Sequence, residues 1–156
     1  MILETGELKG RTGHEAGRAL LEALYRRETG EAMPEIRIAE GGKPYFIDGD
    51  WHFSISHTHR RVFCALSRRP VGIDAEELDR KINLKLADRV LSPMERQQFD
   101  AAAHKEKALL TFWVLKEAAV KLAGTGLRGF PNKTEFSLTD PRVREWEGCL
   151  VAVMEE

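Results

Sequence analysis

The stretch at residues 105–123 constrains this chain more than any other. From Ala108 onward its only charged residues are Lys116, Glu117 and Lys121, and apolar side chains cover nearly every helical face. A helix that is apolar all round belongs inside a core, and Gly124-Thr125-Gly126 supplies its stop. A buried charge is costly unless it is paired or coordinated. The three charged residues therefore mark either a site or an edge. The plain alternative is that Glu117 and Lys121, one turn apart, pair with each other on a solvated rim.

A second stretch favours the site. Val71-Gly72-Ile73-Asp74-Ala75-Glu76 reads as a strand, on which Asp74 and Glu76 project from one face while Ile73 and Ala75 take the other. Taken alone, the two acids could be exposed positions on a half-buried strand. If Asp74, Glu76 and Glu117 converge, their mutual repulsion calls for a cation between them. A hard divalent ion such as Mg²⁺, shared between carboxylates and substrate phosphates, suits that role. The residues thus point to a Mg²⁺-dependent enzyme acting on a phosphate ester.

A chain of 156 residues fits one compact domain or two small halves sharing a core. Its 42% hydrophobic and 31% charged content is ordinary for a globular protein. A formal net charge of -1 gives no global sign of a nucleic-acid binder. Cys64 and Cys149 lack C-x-x-C spacing and are expected as free buried thiols in a reducing compartment. No leader pattern opens the chain, and no apolar run approaches the ~20 residues that span a bilayer. The expectation is a cytoplasmic protein with no membrane segment.

Along the chain, residues 1–12 read as a short strand or loop. A helix follows over 12–25, with Thr12 and Glu15 as a capping box. Ile36 and Ile38 alternate as a brief strand, and Gly41-Gly42-Lys43-Pro44 is a turn. Residues 45–47 and 51–55 flank Asp48-Gly49, which predicts a hairpin. Strands are expected at 61–66 and 71–75, and a short helix at 84–91. Ser92-Pro93-Met94-Glu95 is a helix start. The last strand candidates are 136–138 and 149–154. Strands and helices come in clusters rather than alternating, which predicts an α+β fold.

Other residues could carry chemistry. Ser56 and His57 are adjacent and would point to opposite faces of a strand, which disfavours a Ser–His hydrolase. His57 is then a phosphate donor or a structural histidine. Lys43, set by glycines, is either solvated or a phosphate contact. The capping box alone accounts for Glu95, and Phe112 and Trp113 read as core.

Taken in order, these fragments are Gly42-Lys43-Pro44, Phe53-Ser54-Ile55-Ser56-His57-Thr58, Val71-Gly72-Ile73-Asp74-Ala75-Glu76, Leu91-Ser92-Pro93-Met94-Glu95 and the run from Phe112 through Trp113, Lys116, Glu117 and Lys121 to Gly124-Thr125-Gly126-Leu127. Over about residues 11–138 the chain resembles the 4'-phosphopantetheinyl transferase superfamily, in its surfactin-synthetase-type branch. Ala75 stands where that branch commonly has a bulkier aliphatic. The leading segment is shorter than usual for the branch, so a compact form is expected.

The resemblance implies one domain over 1–156 built of two pseudo-symmetric halves, about 1–69 and 70–156. Each half would be a small antiparallel sheet packed on a long helix. It implies transfer of the 4'-phosphopantetheine group from coenzyme A to a serine hydroxyl of an apo acyl or peptidyl carrier protein, with Mg²⁺ and release of 3',5'-adenosine bisphosphate. Asp74, Glu76 and Glu117 correspond to the metal ligands. Lys121, with Lys116 nearby, corresponds to the pyrophosphate contact. Lys43, Ser56 and His57 correspond to the region holding the 3'-phosphoadenosine end, with Arg18 and Arg11 as 3'-phosphate candidates. Glu117, or else Glu95, would accept the serine proton. Exposed arginines such as Arg60, Arg61 and Arg89 could steer an acidic carrier, or be ordinary surface residues. A monomer is expected. The competing functions are a Mg²⁺-dependent nucleotide hydrolase and a degenerate protein that binds coenzyme A or carrier without turnover.

Overall fold

The computed structural model describes residues 1–126 and 134–156. In chain order the elements are β1 (Ile2–Glu7), α1 (Gly13–Thr29), β2 (Ile36–Ile38), β3 (Pro44–Phe46), β4 (His52–His57), β5 (Arg61–Ser67), β6 (Val71–Glu77), a 3-10 turn (Leu84–Leu86) running into α2 (Ala87–Val90), α3 (Pro93–Ala101), α4 (Lys105–Ala123), β7 (Val143–Trp146) and β8 (Cys149–Glu155). Two antiparallel three-stranded sheets result, ordered β1-β5-β4 and β6-β8-β7. Each is built from a strand, a long helix and a hairpin whose last strand takes the centre. The α+β architecture of two small sheets, each packed on a long helix, is the one expected from the sequence.

Period-two alternation sorts the central strands into layers. On β5, Cys64 and Leu66 join Leu21, Leu24 and Tyr25 of α1, while Phe63 and Ala65 turn toward the second sheet and meet Ile73 and Val151. On β8, Leu150, Ala152 and Met154 pack on α4, and Cys149, Val151 and Val153 face the first sheet. Both central strands are buried on two faces, which is why each reads as an unbroken apolar run. Cys64 and Cys149 are free and buried, and burial pushes the Cys64 thiol up to about 12.

The two sheets meet along their edge strands β4 and β6. Serine hydroxyls stand in for a backbone ladder there. Ser54 Oγ accepts from the Ile73 N–H at 3.1 Å, and Ser56 Oγ accepts from the Ala75 N–H at 3.1 Å. On the other side β6 lies hard against α4. A Cβ added at Gly72 would sit 2.2 Å from the Ala118 carbonyl oxygen, so only glycine permits the approach.

Both capping boxes form, Thr12 with Glu15 and Ser92 with Glu95, and α4 ends at Gly124 in the left-handed region (φ 69°). Two expectations fail. Asp48-Gly49 does not close a hairpin: β3 pairs with β2, and β4 pairs with β5. Residues 136–138 are not a strand, because side chains satisfy their backbone: the Phe136 N–H donates to Glu95 Oε2 at 2.9 Å and the Leu138 N–H to Gln98 Oε1 at 3.0 Å. Their place is taken by β7, joined to β8 through Glu147-Gly148, both at positive φ (52° and 74°), the geometry of a tight two-residue hairpin. Leu127, the end of the last motif, lies outside the described residues.

Candidate active site at the seam between the sheets

The face of β6 that carries Gly72 also carries Asp74 and Glu76, and it looks toward α4. Asp74 is 7% exposed. Its Oδ1 accepts from Lys121 Nζ at 2.9 Å and from Ser56 Oγ at 3.2 Å, while its Oδ2 is buried with no hydrogen-bond partner. Burial pushes the Asp74 carboxyl above its ordinary range, and Lys121 and then Ser56 oppose that shift. Lys121 Nζ also reaches the Ile55 carbonyl at 3.4 Å, so one ammonium ties α4 to both edge strands.

Glu76 is half-buried. Arg80, four residues on, holds it in an ion pair, and the Trp113 side chain hydrogen-bonds it. Burial again raises its carboxyl; Arg80 opposes the rise and Asp74 adds to it. Glu117 is raised by burial first and then by the negative charge of Asp74, with a smaller contribution from Glu76. Glu76 and Glu117 thus both feel the charge of Asp74. The i,i+4 pairing of Glu117 with Lys121 on a rim does not occur: Lys121 takes Asp74 instead.

Two cavities open beside this cluster. One, of about 220 Å³, is walled by Gly41, Gly42, Lys43, Pro44, Phe53 and Lys121. The other, of about 640 Å³, is walled by His57, Arg60, Glu76, Arg80 and Lys81. His57 is exposed and abuts the first turn of α1, where a Cβ at Gly13 would meet its ring at 2.2 Å. Arg11, exposed beside that turn, donates from Nε to the Leu8 carbonyl at 3.2 Å, and Arg18 is half-buried on α1. Lys43 donates to the Leu122 carbonyl at 2.9 Å and the Val71 carbonyl at 3.2 Å, closing the C-terminus of α4, and burial lowers its pKa. Ser56 is buried, and its hydroxyl is spent on Asp74 and Ala75. It joins the acidic cluster through its hydrogen bond to Asp74.

Glu95 and Lys116 are not brought here. Successive helical residues turn by about 100°, so Lys116 points away from Glu117 and into the core between α3 and α4. There it pairs with Glu95 at 2.8 Å, the two side chains 3% and 0% exposed. Glu95 also accepts from the Ser92 N–H at 2.8 Å and the Phe136 N–H at 2.9 Å. Both Glu95 oxygens are occupied inside the core, and the Lys116 ammonium lies there with them rather than beside the acidic cluster. Arg80 and Trp113 are the site residues that sequence reasoning missed. The signals were their i,i+4 relations, Arg80 to Glu76 and Trp113 to Glu117, which put the indole on the acidic face.

The donors suit a hard divalent cation: all are carboxylate oxygens, and the orphaned Asp74 Oδ2 gives one a ready attachment. Among the described residues no three His, Cys, Asp or Glu side chains already form a metal site. Lys121 and Arg80 occupy two of the three carboxylates instead. Among the described residues, too, no helix is long and apolar enough to cross a membrane.

Comparison with known proteins points to one family. Residues 70–149 match the family model described as ACPS, 4'-phosphopantetheinyl transferase superfamily. The 4'-phosphopantetheinyl transferase gsp of Aneurinibacillus migulanus is 38% identical over 94 residues, 59% of this chain and 39% of that protein. The 4'-phosphopantetheinyl transferase Sfp of Bacillus subtilis (strain 168) is 34% identical over 116 residues, 71% of this chain and 51% of Sfp. The 4'-phosphopantetheinyl transferase psf-1 of Bacillus pumilus is 37% identical over 123 residues, 72% of this chain and 52% of that protein. The chain spans about half the length of the curated relatives it matches. With the family model covering residues on β6 and α4 that hold the acidic cluster, the chain belongs to the 4'-phosphopantetheinyl transferase superfamily, in its Sfp-type branch.

Proposed function

We propose that this chain transfers the 4'-phosphopantetheine group of coenzyme A to a serine hydroxyl of an apo acyl or peptidyl carrier protein and releases 3',5'-adenosine bisphosphate. The observation that carries the proposal is Asp74, a buried carboxylate with one oxygen held by Ser56 and Lys121 and the other unpartnered, set beside Glu76 and Glu117. A Mg²⁺ ion held by Asp74, Glu76 and Glu117 would neutralise pyrophosphate charge and polarise the phosphorus centre. Lys121 lines the smaller cavity, where its ammonium would meet the leaving phosphate. That cavity would take the adenosine end, with Lys43 at its wall. His57, Arg11 and Arg18 lie on the first half, and the 3'-phosphate is assigned to them. The serine oxygen bonds to the β-phosphorus as the bond to adenosine bisphosphate breaks, and Glu117 accepts the serine proton.

Residues 1–69 and 70–156 act in this account as two halves of one cytoplasmic, monomeric domain, with no part for nucleic acid or membrane. The test is chromatographic. Coenzyme A, apo carrier protein and Mg²⁺ should yield 3',5'-adenosine bisphosphate only when all three are present. Release without carrier would point to a hydrolase; no release with fatty-acid, polyketide or peptide-synthetase carriers would point to a binding protein.

A further inference from the structure

Glu76 is held differently from Asp74. The partners of Asp74 come from β4 and α4, whereas Glu76 is neutralised by Arg80 in the segment just past β6 and hydrogen-bonded by Trp113. An indole can only donate, so the carboxylate receives a fixed donor from one side and a cation from another. The Arg80 guanidinium carbon lies 5.8 Å from the centre of the Trp113 ring, so the three side chains form one cluster. Arg80 is 39% exposed and Glu76 20%. A partly exposed ion pair of this kind is weak, and Arg80 already borders the larger cavity together with His57 and Lys81. A guanidinium paired with Glu76 competes with a divalent cation for the charge of the same carboxylate.

We propose that Arg80 occupies Glu76 until a divalent cation arrives, and then swings into the cavity beside His57 to meet a phosphate oxygen of the bound substrate. The exchange rests on the metal assignment to Asp74, Glu76 and Glu117. It couples the two ligands: the cation releases the arginine, and the released arginine helps hold the phosphate. Trp113, in contact with both partners, reports the exchange through its emission.

The experiment titrates Mg²⁺ into the whole chain, followed by tryptophan emission and by calorimetry, and then titrates coenzyme A at saturating Mg²⁺. The wild type should show a saturable emission change that Trp113→Phe abolishes. Arg80→Met should bind Mg²⁺ about three- to tenfold more tightly, as expected on removing a competitor of this strength. The same variant should bind coenzyme A about tenfold more weakly, and Arg80→Lys should stay near wild type on both counts. An ordinary surface pair would move neither affinity, and a residue that merely orients Glu76 would move both downward. Either result in Arg80→Met overturns the proposal and leaves the metal assignment intact. Mg²⁺ binding that is absent in the wild type, or unchanged in Asp74→Ala, overturns the metal assignment and the proposal together.

Discussion

Ser56 and Asp74 are bonded across the seam between the two sheets: the hydroxyl donates to Oδ1 at 3.2 Å and accepts from the Ala75 N–H at 3.1 Å. One side chain thus joins the halves and aims the carboxylate. Ser56→Ala strands a buried N–H, which costs about 1–3 kcal/mol, and frees Asp74 to turn. Urea unfolding should show that loss together with weaker Mg²⁺ binding. Ser54→Ala, which strands only the Ile73 N–H, should cost similar stability without a matching loss of metal affinity.

The Glu95–Lys116 pair sits inside the core at 2.8 Å. Breaking a buried pair by removing one partner costs about 3–5 kcal/mol. Lys116→Met and Glu95→Gln should each lower the unfolding midpoint by an amount of that order. The double variant should recover much of the loss, since no lone charge then remains buried. A folded Glu95→Gln protein that keeps its stability but loses turnover would restore Glu95 as a base.

Glu117 is raised by burial and by Asp74, so its neutral form is favoured in the folded chain. The stability it contributes is fully present below the ordinary carboxylate range and is lost as pH rises through the raised value. Glu117→Gln should therefore raise the metal-free Tm at neutral pH, with the gain vanishing as pH falls below the ordinary carboxylate range. It should also abolish turnover. Thermal melts across pH check both the sign and the window.

Gly72→Ala would drive a methyl to 2.2 Å from the Ala118 carbonyl oxygen and 2.5 Å from the Leu122 backbone nitrogen. Backbone on both sides cannot yield cheaply, so a loss of about 1–3 kcal/mol is expected. Chemical denaturation measures it. Mg²⁺ affinity should fall too, because Asp74 is two residues along the same strand.

The parts of the fold that depend on short-range chemistry were legible in the sequence. Thr12 and Glu15 announce α1, Ser92 and Glu95 announce α3, and the alternation of Ile73 and Ala75 with Asp74 and Glu76 assigns the faces of β6. Partner choice was not legible. Asp48-Gly49 is a sound local turn, yet β3 goes to β2, because pairing is decided by which edges tertiary packing leaves open. The strand β7 hides because Arg144 and Glu145 interrupt its apolar pattern, and only Glu147-Gly148 marks the turn after it. Within the site, Asp74, Glu76, Glu117 and Lys121 could be named from spacing and motif. The core pairing of Glu95 with Lys116 could not, since it joins residues 21 positions apart on different helices.

The most direct measurement is the intact mass of an apo carrier protein after incubation with this chain, coenzyme A and Mg²⁺, run beside Asp74→Ala. The account predicts a gain of one phosphopantetheine on the carrier serine with the wild-type chain, no gain without Mg²⁺, and none with Asp74→Ala, whose fold should persist because Ile73 and Ala75 keep the core face of β6. An unmodified carrier with the wild-type chain, or full modification by Asp74→Ala, would contradict it.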